Sequence, residues 1–339
     1  MSQGPTLFAA TIAEYVGQHG RPDLLLASSP IDLAAVLGLA RRVLGDVPVV
    51  LYQHESQLLF PAGPEGGRDQ RAELIDVRSL ATADAWITAS SFHRDALLEE
   101  LPTLLSEAMP DTSPEFVDRL ADRHVLLPIG VTAPSPEVRA DGPHPCDDGP
   151  LIVWNHRWEH DKNPTEFVHA ALVLAAAGLP FRLALLGTSA RSGDRQRTKL
   201  ISHLGDRVVQ AGALDRIDYE AVLRQSDIVV STAHHEFFGL ATLEALTARC
   251  WPVLPDRLSY RELVPAEMHE RHLYGDGQFV EALRSAIDAY MKGARVDPAI
   301  PRFVDQFTWP RLRDRYDALF TSVHDRFPRA ARSQGDDSR

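Results

Sequence analysis

The stretch STAHHEFFGLATLEA (231–245) carries two glutamates, Glu236 and Glu244, with seven residues between them. Because His234 and His235 directly precede Glu236, a metal site is one possible interpretation. The stretch lacks the HExxH spacing of a zinc-binding helix, and the chain has only two cysteines. We therefore expect no metal site here.

A helix is predicted to begin near Phe238 and Gly239, directly after an apolar run. The first N–H groups of a helix lack partners and carry partial positive charge, so Phe238, Gly239 and Leu240 are expected to bind a phosphate. Glu244 lies within this helix on an apolar face, where a carboxylate needs a partner. That partner is either an arginine of the same chain or a ligand rich in hydroxyl groups.

Two cations, Arg157 and Lys162, follow a second apolar run in WNHRWEHDKNP (154–164). Side chains of this kind just before a helix can hold both phosphates of a diphosphate. The alternative is an exposed charged loop. Trp158, between the two cations, is a candidate for stacking on a base.

A third polar stretch, LYQHESQLLFP (51–61), follows an apolar run of the first half of the chain. Its His54, Glu55 and Gln57 are candidates for ligand contacts at the end of a strand. The alternative is that His54 is simply an exposed residue at the end of a strand and binds no ligand. The spacing of His54 and Glu55 does not suit a metal.

The polar stretches are separated by alternating apolar runs and predicted helices. The apolar runs of the second half lie at 151–155, 181–187, 207–212, 227–233 and 251–254. Near-continuous apolar strands that alternate with helices are typical of a parallel sheet covered on both faces. The first half alternates in the same way between the runs at 22–29 and 124–130.

We therefore predict an α/β protein with two Rossmann-like, doubly wound domains. The predicted segments are a first domain (1–133), a linker rich in Pro, Gly and Asp (134–150), a second domain (151–305), a helix that crosses back to the first domain (306–328) and a disordered tail (329–339). Ligands of such sheets lie beyond the carboxyl ends of the strands, so we expect the site in a cleft between the facing domains.

The composition excludes several classes of protein. No run reaches the ~18 apolar residues of a membrane span, and the start has no signal-peptide pattern, so we expect a cytoplasmic protein without membrane contact. The net charge of −12 argues against a general nucleic-acid coat. Local basic patches at 191–199 and 311–317 are possible, with a solvated helix face as the alternative for each.

These motifs resemble those of retaining glycosyltransferases of the GT-B architecture, in glycosyltransferase family 4. That family has an Arg-x4-Lys loop, here Arg157 and Lys162, and a Glu-x7-Glu motif, here Glu236 and Glu244. The finer resemblance is to tRNA-queuosine α-mannosyltransferases, and it covers roughly residues 22–290. Its counterparts in this sequence are HESQ (54–57), NHRWEHDKNP (155–164), STAHHEFFGLATLEA (231–245) and LPDRLSYRELVP (254–265).

The sequence departs from that branch at Ser56, where asparagine is usual, and at Arg261, where proline is usual. The branch also begins with a strand and a glycine-rich loop, whereas only about 20 residues precede the run at 22–29. The resemblance therefore implies a GT-B fold whose first domain is shortened at its N-terminus.

The resemblance implies a nucleotide-sugar donor, GDP-mannose, with no cofactor and no metal. Arg157 and Lys162 would neutralise the departing diphosphate, together with the N–H groups of Phe238, Gly239 and Leu240. Glu244 would hold the ribose, and Glu236 would orient the transferred sugar. On the first domain, the acceptor side, His54 would lie near the sugar, with Glu55 and Gln57.

The implied acceptor is queuosine at the wobble position of tRNA, in a single-stranded loop that proteins can read. We expect tRNA contact to depend on a small basic patch and on salt. Two alternatives stay open. One is a family 4 transferase with a small-molecule or lipid acceptor, and the other is a non-catalytic homologue that binds a nucleotide sugar.

Overall fold

The computed structural model describes residues 4–60, 67, 69–132, 148–188 and 191–326. The predicted tail (329–339) and all but the last three residues of the predicted linker (134–150) lie outside these ranges. The chain divides into two compact units. The first comprises Met1–Leu127 with Arg313–Arg339, and the second comprises Pro128–Leu312.

The first unit contains a parallel sheet of four strands. These are β1 (Leu25–Ser28), β2 (Val49–Gln53), β3 (Ala85–Thr88) and β4 (His124–Leu126), which pair in chain order. Strands β2 and β3 are buried at every residue, which explains why their sequences are continuous apolar runs rather than alternating ones.

Helices pack on this sheet. They are α1 (Gly4–His19), α2 (Leu33–Leu44), α3 (Gln70–Thr82), α4 (Ser91–Ala108) and α5 (Glu115–Ala121). Helix α1 lies ahead of the first predicted element, and its Ile12 and Val16 pack against Leu44 of α2. Asp32, Asp69 and Ser90 begin three of the helices by accepting backbone N–H groups, as N-cap residues do.

The second unit contains a parallel sheet of six strands. They are β5 (Leu151–Trp154), β6 (Arg182–Leu186), β7 (Val208–Gly212), β8 (Ile228–Val230), β9 (Trp251–Pro255) and β10 (Leu273–Tyr274). Their order in the sheet is β10-β9-β8-β5-β6-β7. The order reverses between β5 and β8, and such a reversal opens a crevice beyond the carboxyl ends of the two strands. Among the described strands, a reversal of strand order occurs only in this sheet, because the strands of the first sheet pair in chain order.

The helices of the second unit lie between its strands or follow β10. They are α6 (Pro164–Ala176), α7 (Arg191–Leu204), α8 (Arg216–Gln225), α9 (Leu240–Thr247), α10 (His269–His272), α11 (Phe279–Met291) and α12 (Ala299–Val304). Helix α13 (Trp309–Arg326) then leads from the second unit into the first. The predicted α/β class with two parallel-sheet domains is confirmed. Within the described residues, no helix has the length and hydropathy of a membrane span.

Candidate active site

Two loops meet at the reversal point of the second sheet. The first (155–163) follows β5 and the second (231–239) follows β8, and β5 pairs directly with β8. The backbone carbonyl of Asp161 accepts the N–H groups of His234 at 2.8 Å and His235 at 3.2 Å. In return, the hydroxyl of Thr232 donates to the carbonyls of Lys162 and Asn163. The two predicted motifs are therefore held together by backbone contacts.

Lys162 joins the two loops through its side chain. Its ammonium group donates to the carbonyl oxygen of His235 at 2.6 Å and to Oε2 of Glu236 at 3.2 Å. It also lies 3.2 Å from Oδ2 of Asp161, and its side chain is only 10% exposed. Because an ammonium has three N–H donors, these two hydrogen bonds leave one donor for a ligand.

Arg157 is the more accessible of the two cations. Its side chain is 51% exposed and pairs with Glu159 at 2.8 Å and with Asp161 at 3.5 Å. Oδ2 of Asp161, which is buried, thus lies between the two cations. Sequence reasoning missed this residue, because nothing in the spacing distinguishes its carboxylate from the neighbouring exposed ones.

Glu236 lies at the start of α9, where its carboxylate accepts backbone N–H groups. Oε1 accepts from Gly239 at 2.9 Å and from Phe238 at 3.4 Å. Burial by itself raises the pKa of Glu236, but the charge and hydrogen bond of Lys162 and the backbone N–H of Phe238 outweigh burial and hold the pKa below its ordinary value. The carboxylate is therefore ionised at neutral pH. This carboxylate accepts two of the three N–H groups that the sequence predicts to bind phosphate, those of Phe238 and Gly239. The third N–H group is that of Leu240.

Two histidines complete the charged cluster. Burial, followed by the charge of Lys162, lowers the pKa of His156 to about 4 and that of His235 to about 4. Both rings are therefore neutral at physiological pH. Trp158, by contrast, is only 1% exposed and packs near Trp154 and Phe167, so it contributes to the core rather than to a stacking surface.

Glu244 has partners within the chain. Oε1 of Glu244 accepts a hydrogen bond from Nη1 of Arg216, and Oε2 accepts one from the hydroxyl of Tyr219 at 2.9 Å. Nδ2 of Asn155 in turn donates to the Tyr219 hydroxyl at 3.1 Å and to the carbonyl of Ala241 at 2.7 Å. The arginine alternative is thus realised. Arg216 and Tyr219 share the polar side of α8, and no sequence pattern indicates that this helix faces α9.

In the first unit, the loop after β2 carries His54, Glu55 and Gln57. The hydroxyl of Ser29, at the end of β1, accepts the N–H groups of His54 and Glu55 and donates to the carbonyl of Glu55. The ring of His54 stacks on Tyr52 with centroids 4.4 Å apart. Burial lowers the pKa of His54, so this histidine is also neutral at physiological pH.

The carboxylate of Asp76 in α3 also accepts hydrogen bonds from this loop after β2. Its Oδ2 accepts the hydroxyl of Ser56 at 3.1 Å and the N–H of Gln57 at 2.5 Å. Burial raises the pKa of Asp76 to about 6, although these hydrogen bonds act in the opposite direction. Sequence reasoning missed Asp76, which lies in a helix 19 positions after Gln57. Ser56 departs from the branch in residue type and is buried against Asp76.

The described residues contain no group of three or more His, Cys, Asp or Glu side chains arranged to hold a metal ion. The ionised groups of the two joined loops are instead Arg157 and Lys162 with Glu159, Asp161 and Glu236. Two positive and three negative charges give this cluster a formal net charge of −1. The predicted cations are thus brought together, but each is paired with carboxylates.

Two family models match the chain. Residues 1–131 match the model described as tRNA-queuosine alpha-mannosyltransferase N-terminal. Residues 140–296 match the model described as Glycosyl transferases group 1. The second match contains both motif loops.

Individual relatives agree with these models. Over 306 residues the chain is 28% identical to a tRNA-queuosine alpha-mannosyltransferase of Drosophila melanogaster, which covers 84% of this chain and 80% of the relative. Over 152 residues it is 30% identical to a 2-deoxystreptamine glucosyltransferase of Streptomyces kanamyceticus, covering 45% of this chain and 35% of that relative. Among solved structures, the sucrose-phosphate synthase of Thermosynechococcus elongatus has the same fold. Its TM-score is 0.68 at 20% identity, covering 94% of this chain and 78% of that one.

Proposed function

We propose that this chain, which belongs to the tRNA-queuosine alpha-mannosyltransferase family of GT-B glycosyltransferases, transfers mannose from GDP-mannose to queuosine in the anticodon loop of tRNA. The observation that carries the proposal is the union of the two motif loops, in which Lys162 contacts His235 and Glu236. This contact places a buried cation beside a partly buried carboxylate at the reversal point of a parallel sheet, where ligands of such sheets bind.

The donor diphosphate has a favourable place among these groups despite the net negative charge. The pair between Arg157 and Glu159 is largely exposed, and such pairs contribute only about 0–1 kcal/mol. Arg157 can therefore exchange Glu159 for a phosphate at little cost, and a guanidinium can bind phosphate oxygens in pairs. Lys162 adds its charge and one remaining N–H group.

Glycosyl transfer needs stabilisation of the leaving group more than a strong nucleophile, because its transition state resembles an oxocarbenium ion. The bond between the anomeric carbon and the phosphate oxygen breaks, and a bond from the queuosine hydroxyl oxygen to that carbon forms. The hydroxyl proton passes to the departing phosphate. Arg157 and Lys162 stabilise the charge that develops on the diphosphate.

The glutamates position the donor. Glu236 is held ionised by Lys162 and accepts hydroxyl groups of the sugar, while Glu244 accepts hydroxyl groups of the ribose. The Glu244 carboxylate already accepts bonds from Arg216 and Tyr219, but each carboxylate oxygen can accept two hydrogen bonds. In the first unit, His54, Glu55 and Gln57 form the acceptor side, in a loop that Asp76 and Ser29 hold in place.

The acceptor is tested directly with purified protein, GDP-mannose and tRNA that carries queuosine. Nucleoside mass spectrometry should reveal a hexosyl-queuosine, and the same tRNA with guanosine at the wobble position should give none. UDP-glucose and UDP-galactose, offered in parallel, test the donor. The enzyme would act in the cytoplasm, where mature tRNA is found.

Other outcomes identify the alternatives. Hydrolysis of GDP-mannose without any modified tRNA would favour a small-molecule acceptor, as in the glucosyltransferase relative. Binding of GDP-mannose in calorimetry, with neither transfer nor hydrolysis, would indicate a non-catalytic homologue.

A further inference from the structure

We propose that the imidazole of His156 is a ligand of the donor, and that its Nε2–H donates a hydrogen bond to the diphosphate of the nucleotide sugar. The inference rests on the proposed function and adds a binding residue to it. His156 stands directly before Arg157, in the loop that follows β5.

The first observation is an unpartnered polar atom. His156 is only 3% exposed, and its Nε2 atom is buried with no hydrogen-bond partner among the residues that the structure describes. A buried polar group without a partner is destabilising, so a ligand that satisfies it binds more tightly. The ring is fixed, because it packs edge-on against Trp154 with centroids 5.2 Å apart.

The second observation is the surroundings of the ring. The charged groups that act on His156 are those of Lys162, Glu236, Asp161 and Arg157, which are four of the five ionised groups of the two joined loops. The carboxylate of Glu236 accepts hydrogen bonds from Lys162 and from backbone N–H groups, and Oδ2 of Asp161 lies at ion-pair distance from both cations. The ring therefore lies inside the cluster that is proposed to bind the donor, without serving as a partner to either acid.

The neutral state of the His156 ring determines which kind of ligand atom it can bind. A neutral imidazole has one N–H donor and one acceptor nitrogen. A diphosphate oxygen is only an acceptor, and a hydrogen bond to a charged acceptor is stronger than one to a neutral group. A neutral donor also suits a cluster with two cations, because a third positive charge there would repel both.

The third observation is the close backbone packing that holds His156 in place. A Cβ atom at Gly187, at the end of β6, would lie only 2.3 Å from the carbonyl oxygen of His156. The N–H of Trp158 donates to the carbonyl of Thr188 at 3.0 Å. The loop that carries His156 is therefore pressed onto the neighbouring strand end, which gives the ring a defined position.

The experiment is titration calorimetry at pH 7.5 with four probes: GDP-mannose, GDP, GMP and inorganic pyrophosphate. His156→Phe removes the donor and keeps a ring. We expect Kd for GDP, GDP-mannose and pyrophosphate to rise roughly tenfold to a hundredfold, as for loss of a hydrogen bond to a charged group. Kd for GMP should change by less than about twofold. The exposed His169→Asn on α6 is the matched control and should change none of the four.

Two amide variants of His156 test whether Nε2 is the atom that binds the diphosphate. The amide nitrogen of His156→Gln reaches the place of Nε2 and should recover most of the affinity, whereas the shorter His156→Asn should not. This comparison also decides the matter if His156→Phe does not fold, which thermal melting will show.

Three results would overturn the inference. They are unchanged affinities in His156→Phe, a loss for GMP as large as that for GDP, or a loss confined to GDP-mannose, which would assign His156 to the sugar. Binding of pyrophosphate that depends on His156, without binding of GDP-mannose, would leave the inference standing and refute the proposed donor.

Discussion

The ammonium nitrogen of Lys162 lies 3.2 Å from the carboxylate of Glu236, although the two residues are 74 positions apart in the sequence. One belongs to the loop after β5 and the other to the loop after β8. Lys162 stabilises the charged form of Glu236 within a largely buried cluster. The same contact therefore supports both the fold of the second unit and its proposed chemistry.

Replacement of Lys162 should affect stability and activity together. Lys162→Ala leaves Glu236 and Asp161 without their shared cation, and breaking a buried pair costs about 3–5 kcal/mol of unfolding free energy. Denaturant unfolding at pH 7.5 measures this change, and the transfer assay should show a large fall in kcat/KM. Unchanged stability would mean that the cluster is more hydrated than its burial indicates.

Replacement of Arg157 should affect activity alone. The Arg157 side chain is half exposed, and Asp161 keeps Lys162 as a partner in the variant. Arg157→Ala should therefore change the unfolding free energy by less than about 1 kcal/mol. Loss of a phosphate contact should cost about 2–5 kcal/mol of transition-state stabilisation, measured as kcat/KM for the transfer. The exposed Arg42→Ala on α2 is the control. An Arg157→Ala activity within twofold of wild type would exclude the phosphate role.

Tyr219→Phe removes the hydroxyl that joins Asn155 to Glu244. Such a hydrogen bond contributes about 0.5–1.5 kcal/mol, so KM for the donor should rise roughly twofold to tenfold. Because ribose contacts are the same before and during reaction, kcat should change little. Tyr15→Phe, on the exposed side of α1, serves as the control. A fall in kcat at constant KM would place Glu244 nearer to the reacting atoms.

Gly187→Ala and Gly178→Ala form a matched pair, since both glycines have positive φ, at 98° and 76°. A Cβ at Gly178 meets nothing within 4 Å, whereas one at Gly187 meets the backbone of His156. Gly178→Ala should therefore cost only the backbone strain of about 1 kcal/mol. Gly187→Ala should cost more in thermal melting and should also weaken GDP binding. Equal effects of the two would show that the His156 loop can move aside.

The pH dependence of stability follows from the buried histidines His156, His235 and His272, each with its pKa lowered to about 4. Below the ordinary histidine pKa of 6.5, these three histidines are protonated in the unfolded chain but stay neutral in the folded chain down to about pH 4. Stability should therefore fall as pH decreases from 6.5 towards 4, by on the order of 1 kcal/mol per pH unit for each histidine. Asp76, with its pKa raised to about 6, opposes this trend, because only the folded chain keeps its proton between about 4 and 6.

Urea unfolding at a series of pH values measures this slope. His272→Asn should flatten it, because the histidine lies away from the two loops and its Nδ1 contact with the carbonyl of Pro252 can be replaced by an amide. A stability that stays constant between pH 6.5 and 5 would contradict the prediction.

Local patterns in the sequence were sufficient for the architecture of the protein. Buried parallel strands need continuous apolar runs, and Pro164 and Gly178 mark the two ends of α6. The resemblance to family 4 glycosyltransferases, rather than spacing alone, singled out Arg157, Lys162, Glu236 and Glu244 as a group. Helix α1 was missed, because it buries only a narrow surface against α2 and its sequence shows little amphipathic periodicity.

The tertiary structure alone decided which groups these residues contact. Asp161 and His156 lie in the same loop as Arg157 and Lys162, whereas Arg216 and Tyr219 come from α8 and Asp76 comes from α3. No spacing rule in the sequence predicts these contacts. Whether a carboxylate binds a cation of its own chain depends on distances of a few ångströms between such segments. Those distances, rather than residue types, determine that Glu236 is ionised, that Lys162 is nearly saturated and that Nε2 of His156 has no partner in the described chain.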